Sequence, residues 1–430
     1  MHEDLKKIQE AALAAAEPGK TVRRVLSASK GRVEVGEFFE PQRVFALAIG
    51  KASGAMARAV AEILGDALDG GLCVTKAGHE EPPPPFETVV GGHPEPDEGS
   101  VRAARKAEVL LDGLEDGDLL LVMVSGGASA LLGDAAAGIS LEDLKALNGA
   151  LLKSGAAIGE INTVRKHVST LKGGGLVRRA APARMAALLL SDVVGDDPSS
   201  IGSGLTAPDP TTLEDVSKIL NRYGIEAPES VTDHLAEGHE TPKPGEEAFE
   251  KLTNLIVGGG RLTATAAAEK ARSLGYEPLL LSTYLTGNAR NVAGLHAAVV
   301  KEVLDSANPL SPPCAIVTGG EATVTVRGEG TGGPNQEFAL SLAIELEGVK
   351  GWAALALDTD GNDGSTDAAG GLVDSMTAAR IREGGVDPVE ALDENDSYQA
   401  LEAGAALVRT GPTGTNVNDL RVVLVSGLRA

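Results

Sequence analysis

The chain has 430 residues, 43% of them hydrophobic and 23% charged, which is ordinary for a soluble protein and long enough for two or three domains. Its formal net charge of −23 disfavours nucleic acid and anionic membranes as partners, so an anionic ligand must be met by locally placed Lys, Arg, backbone N–H groups or a divalent cation. The two cysteines, Cys73 and Cys314, lie in no zinc spacing and make no disulfide framework. The N-terminal stretch lacks the basic start and apolar core of a signal peptide, and no run approaches ~18 uninterrupted apolar residues, so the cytoplasm is the expected location.

In chain order, residues 4–29 read as helix, with Leu5, Ile8, Ala12 and Ala15 at helical spacing and a break at Pro18-Gly19. Val44–Ile49 is a continuous apolar run, expected of a strand buried on both faces, and Gly50-Lys51-Ala52-Ser53-Gly54 leads into a helix through Leu64. Strands are expected at Gly71–Thr75, Thr88–Val90 and Leu119–Val124, with a helix over Gly99–Leu114. A helical stretch covers Leu141–Ala157, and Ile161–Arg179 forms a basic island in an acidic chain. A strand at Ala186–Leu190 then feeds the long polar loop Ser191–Pro210, and Thr212–Tyr223 is helix. Residues 224–250 show little pattern, so the domain boundary is placed there: an N-terminal domain over 1–245, whose helical residues 1–40 are free to pack on the second domain, and a C-terminal domain over 246–430. The alternation restarts with a strand at Leu255–Val257, the turn Gly258-Gly259-Gly260 and a helix over Leu262–Leu274. It continues through a strand at Pro278–Ser282, a helix at Asn288–Leu304 and a strand at Ala315–Thr318. Gly319-Gly320-Glu321 reads as a turn into the alternating strand Thr323–Arg327. A helix at Gln336–Leu346, the strands Trp352–Leu357 and Arg421–Val425, and the loop Thr410–Asp419 complete the chain. Alternating strands and helices imply α/β layers with largely parallel or mixed sheets, whose ligands bind at the carboxyl ends of strands.

Nucleotide fingerprints are incomplete. The Gly50-Lys51 turn lacks the Walker A spacing, and Gly258-Gly259-Gly260 lacks the last Gly of GxGxxG, which weakens a dinucleotide reading. That turn still offers N–H groups at a helix start, serving either an anion or close packing. Ser125-Gly126-Gly127-Ala128-Ser129 pairs two hydroxyls with two glycines and reads as a phosphate cradle ahead of a plain turn; GxSxG is absent. Lys51 is a lone cation at a strand end. Arg165, Lys166 and Lys172 could complement phosphate or carboxylate, or form a solvated face. The seven histidines make no HxxxH pair, and His93 and His167 read as structural. Asp358, Asp360 and Asp363 fail the EF-hand pattern, having Asp363 where Gly is needed and Ala369 where Glu is needed. Acids after a strand suit Mg²⁺ carried with a nucleotide, or an Asp-Gly turn.

Together, IGKASGAM, VSGGASALL, INTVRKHVSTLKGGGL, SDVVGDDPSSIGSGLTAPDPTT, TGGEATVTV, GGPNQEFAL and DTDGNDGSTDAAG resemble the glycerate 2-kinases of the MOFRL type, some of which are labelled hydroxypyruvate reductases. The resemblance covers nearly the whole chain in order. It implies two α/β/α domains, the first Rossmann-like, with the active site in the interdomain cleft. It also implies ATP-dependent phosphorylation of D-glycerate at the 2-hydroxyl with Mg²⁺ or another divalent cation. Lys51 matches the family's cleft lysine, and Asp192 the acid of the SD loop, a candidate base or orienting residue for the substrate hydroxyl. Ser125, Gly126, Gly127, Ser129, Arg165, Ser199, Arg290 and Asn335 are the expected substrate- and phosphate-binding residues. Gly258, Gly259, Gly260, Gly319, Gly320 and Glu321 are expected to bind nucleotide, and Asp358 and Asp360 the metal. Many members carry Arg in the motif GGRNxE where this chain has Pro334, and Arg290 or Arg165 is the expected substitute. The expected partners are small molecules, with a homodimer as the candidate assembly and no nucleic acid or membrane.

Overall fold

A computed structural model describes residues 1–426 and divides the chain into two compact units. The first comprises Pro18–Ser191 and Asp196–Val257; the second comprises Met1–Glu17, Asp192–Gly195 and the chain from Gly258 onward. The expected boundary at 245/246 compares with a division between Val257 and Gly258.

Residues 1–40, divided between the two units at Glu17/Pro18, correct their all-helical reading. Helices span His2–Ala15 and Pro18–Arg23, and a three-stranded antiparallel sheet follows: β1 (Leu26–Ser29), β2 (Arg32–Val35) and β3 (Glu37–Phe39). Lys30 and Gly31 both hold positive φ, 52° and 78°, which closes a two-residue hairpin, and Val33 and Val35 bury alternate positions. The main sheet contains β4 (Arg43–Ile49), β5 (Gly70–Lys76), β6 (Phe86–Gly91), β7 (Asp118–Val124), β8 (Arg184–Leu190) and β9 (Leu252–Gly258), in the order β6-β5-β4-β7-β8-β9. Strands β4 to β8 pair in parallel. β7 is buried at every position, as its DLLLVMV sequence requires. The chain winds one way from β4 through β6 and then returns beside β4 as β7, so the order reverses between β4 and β7. That is the point where an open α/β sheet leaves a crevice at its carboxyl edge. β9 is a second correction: the Leu255–Val257 strand closes this first sheet instead of opening the second. Residues 224–250 hold the helix Glu229–Ala236, whose Val231 joins Leu147, Leu151, Val164 and Val216 in an all-helical core.

The second unit has a mixed sheet of β10 (Glu277–Asn288), β11 (Cys314–Thr323), β12 (Trp352–Asp358), β13 (Gly370–Asp374), β14 (Leu407–Val408) and β15 (Asp419–Val425), in the order β10-β11-β15-β12-β13-β14. Only β10 and β11 pair in parallel. Gly319-Gly320-Glu321 is a third correction: it lies inside β11, not in a turn, and β11 ends at Thr323. Gly320 has φ 122° and faces the Leu285 backbone of β10, where the pairing register shifts; a Cβ there would collide with that backbone. Beyond Thr323 the chain leaves the sheet, and Asn395 Oδ1 accepts from the N–H groups of Arg327 and Gly328. The helix His2–Ala15 packs in this unit, burying Leu5, Ile8 and Ala12 against Ala264, Ala267 and Ala271 of the helix Gly260–Ser273.

His296 lies in the core of the second unit, fully buried against the edge of the Phe338 ring. Its Nδ1–H donates to the Val292 carbonyl at 2.7 Å, and its Nε2 accepts from the Thr318 hydroxyl at 2.9 Å. Burial, with Arg421 adding to it, pushes its pKa down from 6.5 to about 4. The unfolded chain therefore binds a proton between these values that the folded protein does not. This contribution to stability is complete above pH 6.5 and is lost as pH falls towards 4, by about 3 kcal/mol at most. Urea unfolding of wild type and His296→Gln between pH 7 and 4.5 should show a steeper acid loss in the wild type; matching slopes would reject this origin.

Candidate active site

In the first unit the carboxyl ends of β4 and β7 are tied together. The Ser125 N–H donates to the Ile49 carbonyl at 2.9 Å, and the Lys51 N–H donates to the Gly126 carbonyl at 2.9 Å. Ser125 Oγ accepts from the Ala52 N–H at 3.0 Å. Gly50 has φ 128°, and a Cβ on it would collide with Ser125 Oγ and the Ser125 carbonyl. The lock fixes Lys51 at the switch point, where His79 Nδ1–H also donates to the Lys51 carbonyl at 2.8 Å. Among the described residues, no acceptor lies within hydrogen-bond or ion-pair reach of Lys51 Nζ, and none accepts from the Gly126 or Gly127 N–H. A single free ammonium and two free N–H groups make an anion cradle. The helix after it, Ala128–Leu131, is one turn long.

The predicted Ser129 belongs to a neighbouring group that the sequence reading only partly assembled. Its hydroxyl shares a 2.7 Å hydrogen bond with the buried Ser203, which donates to Asn162 Oδ1 at 3.3 Å. Ser203 holds φ 58° between Gly202 and Gly204, at 56° and 74°, so a run of left-handed residues shapes this wall. Ser199 turns back on its own loop, donating its hydroxyl to Asp197 at 2.6 Å. Partial burial raises the Asp197 carboxyl, but Ser199, Ser200 and the charge of Lys166 outweigh it and hold the pKa below its ordinary value. Lys166 is buried, 3.4 Å from Asp209, and passes beside Gly173 and Gly204. Its basic neighbour Arg165 instead donates to Asn148 at 2.8 Å, and burial lowers its pKa. The sequence signal for Asp197 and Lys166 was present, a carboxylate and a cation in two Gly-rich loops, but spacing alone could not pair them.

The second unit gathers carboxylates at the ends of β11, β12 and β15. Asp358 and Asp419 are register partners, as are Gly320 and Asp419. The predicted Asn335 donates Nδ2 to Asp419 at 2.7 Å and to Asp363 at 3.2 Å. Asp363 also accepts from the Asn335 and Gln336 N–H groups, capping the helix Pro334–Glu345. Burial, then Asp419, pushes the Asp363 carboxyl up to about 7 against these hydrogen bonds. Pro334 occupies the first turn of that helix, where its missing N–H costs nothing. Arg290 reaches the same helix but is engaged by Glu337 at 3.0 Å and Asp393 at 3.3 Å. Asp358 is raised by burial first and then by Asp360, Asp419 and Asp363. Its carboxylate accepts from the Asp360 N–H at 3.0 Å. Glu321 has surface exposure, yet desolvation, Asp419 and Asp192 together raise its carboxyl. Asp192 is thus within electrostatic reach of Glu321 in this unit. Gly259 caps the helix Gly260–Ser273 without a side-chain partner, and a Cβ on Gly260 would lie 3.6 Å from the Val417 carbonyl. Gly319 and Gly320, inside a strand, present no helix N-terminus for phosphate. Among the described residues, no group of three or more His, Cys, Asp or Glu is arranged to hold a metal ion.

A domain family described as a domain of unknown function, DUF4147, matches residues 4–236, and the MOFRL family matches residues 314–419. The chain is 45% identical over 387 residues to a D-glycerate 2-kinase from Thermotoga maritima, covering 89% of this chain and 91% of that protein. It is 44% identical over 424 residues to an Agrobacterium vitis protein named, provisionally, a hydroxypyruvate reductase, covering 98% and 94%. The crystal structure of a glycerate kinase (EC 2.7.1.31) from Thermotoga maritima superposes with a TM-score of 0.90 at 41% identity, covering 99% of both chains.

Gly50→Ala tests the lock. The added methyl must displace Ser125, and the positive φ adds strain, so urea denaturation should show a loss of at least about 2 kcal/mol. An unchanged midpoint would mean that the β4–β7 connection is soft.

Proposed function

The chain belongs to the DUF4147–MOFRL family of glycerate kinases, and from that premise we propose that it transfers the γ-phosphoryl group of ATP to the 2-hydroxyl of D-glycerate, giving 2-phosphoglycerate and ADP. The observation that supports the reading is the cradle at the β4–β7 switch point, where Lys51, its ammonium unpaired, is tied by its backbone to Gly126 and passes its stem beside Gly127, and where the Gly126 and Gly127 N–H groups are free. Phosphoryl transfer asks a protein mainly for position and charge stabilisation, and this cradle supplies both. In the proposed roles, Lys51 stabilises the charge that develops on the transferred group. Asp192 accepts the proton of the 2-hydroxyl as the new O–P bond forms and the bond to the ADP oxygen breaks. Ser125, Ser129 and Ser199 supply hydroxyls, and Gly259 and Gly260 present a helix start to nucleotide phosphate.

Mg²⁺ fits the donors of the second unit. Asp358 and Asp360 are hard oxygen ligands, and the upward push on Asp358 reflects burial and an excess of negative charge that a cation would relieve. With no group of three such residues among those described, the protein would contribute one or two carboxylates and leave the remaining positions to water and phosphate oxygens. When bound, the ion supplies charge neutralisation at those oxygens. Arg290 and Asn335 are proposed to hold their helices in place for this edge.

Hydroxypyruvate reduction is the second reading, favoured by the names of two relatives. The incomplete Gly258–Gly260 fingerprint argues against it, and so does β9, whose strand closes the first sheet. A non-catalytic anion-binding role is the third. The net charge of −23 supports small molecules over nucleic acid or membrane as partners, and no helix among the described residues is long and apolar enough to cross a membrane. The proposed setting is the cytoplasm; light scattering distinguishes a monomer from the proposed homodimer.

NMR of the product formed from D-glycerate, ATP and Mg²⁺ should show 2-phosphoglycerate; 3-phosphoglycerate would overturn the regiochemistry, and NADH consumption with hydroxypyruvate would favour the reductase. Lys51→Ala should lower turnover by at least ~10²-fold with an unchanged melting curve. Asp192→Asn should lower kcat at saturating substrates, whereas a change confined to the ATP KM would move Asp192 to a nucleotide role.

A further inference from the structure

Resting on the glycerate kinase reading, we propose that His93 is a glycerate-binding residue that holds the three-carbon acid beside Lys51 on the Gly126–Gly127 cradle. Two residues beyond β6, His93 brings its ring to the cradle: Cδ2 and Nε2 lie 3.0 and 3.1 Å from the point a Gly127 Cβ would occupy, and Lys51 Cγ lies 3.4 Å from the same point. The imidazole and the lysine stem thus flank one stretch of backbone whose N–H groups are free.

His93 also stands apart from the other histidines. His79, His167, His234 and His296 each engage a carbonyl, and His2 and His239 each face a carboxylate. Of the seven, His93 alone has no hydrogen-bond or ion-pair partner among the described residues, although it is half-buried. A half-buried imidazole without a partner gives up hydrogen bonds that water or a ligand must restore.

The surroundings select the class of ligand. Burial first, then Lys51, Lys76 and His79, push the His93 pKa down, so the ring is neutral at physiological pH. A neutral imidazole offers one N–H donor and one acceptor nitrogen. A polyphosphate presents only acceptors at neutral pH, and the bare nitrogen would repel it. An α-hydroxy acid presents both kinds of group: its carboxylate accepts from an N–H or from Lys51, and its hydroxyl donates to the ring nitrogen. The neighbouring Lys51 and Lys76 supply the attraction for the carboxylate that an acidic protein otherwise lacks.

Steady-state kinetics of His93→Ala should show the glycerate KM raised at least about fivefold, with the ATP KM unchanged within about twofold. His93→Gln, which can return an N–H near the Nε2 position, should recover part of the loss. Glycerate added without ATP should move the His93 ring ¹⁵N resonances of the wild-type protein. An unchanged glycerate KM in a folded His93→Ala protein, a rise in the ATP KM in its place, or resonances that do not respond to glycerate would each overturn the assignment. If wild type formed no phosphoglycerate, the kinase reading would fall, while the ring resonances would still decide whether His93 binds the acid.

Discussion

The crosslink between the carboxyl ends of β4 and β7 is the constraint on which the first unit's chemistry depends. Three hydrogen bonds, two between backbone groups and one to the Ser125 hydroxyl, fasten Ile49, Lys51 and Ala52 to Ser125 and Gly126. Each is worth only about 1 kcal/mol net, but together they fix where two loops diverge. Because the strand order reverses there, the loops cannot fill the space between them with their own backbone. Lys51 is left with a free ammonium, and the Gly126–Gly127 amides with free hydrogens. Preorganisation of this kind lets a site stabilise charge without first rearranging.

The second unit solves a different electrostatic problem. Arg421 is fully buried beneath the helix Pro334–Glu345, with its guanidinium over the Phe338 ring and paired with Asp419. Its Nε and Nη1 have no partner among the described residues. A buried ion pair is rarely a net gain in stability, but removing one partner strands the other. Asp419 is held by Arg421, Asn335 and the Ala322 N–H together, and it in turn perturbs Asp358, Asp363 and Glu321. The acidic edge is thus anchored by one buried cation, with more carboxylates than Arg421 alone can neutralise.

The core strands were legible because their signals are local. VFALAI, LLLVMV and AALLL are apolar runs of strand length between Gly-rich turns, and all lie in the parallel sheet. Lys51 was a candidate through the chain-wide resemblance and Ser125 through its Gly-rich turn, and the lock between them is a tertiary fact that no spacing encodes. Other features were hidden for definite reasons. β9 has the short apolar run of any strand, so which sheet it joins depends on its neighbours. Gly319-Gly320 has the composition of a turn, but the bulged pairing with β10 makes glycine necessary inside a strand. The hairpin of β1 and β2 was masked by the helical periodicity that precedes it. His93 read as structural because an unpartnered imidazole can be recognised only once every possible partner has been placed.

The placement of the helix His2–Ala15 in the second unit has a consequence for synthesis on the ribosome. Its partner helix Gly260–Ser273 is translated only after the whole first unit. Until then the first helix carries Leu5, Ile8 and Ala12 uncovered, and the second unit cannot close its core. Neither unit is a single stretch of chain, because Asp192–Gly195 also leaves the first unit for the second. Cutting the gene at the family boundaries would therefore separate each core from part of itself, and the opening helix keeps an apolar face uncovered during the wait.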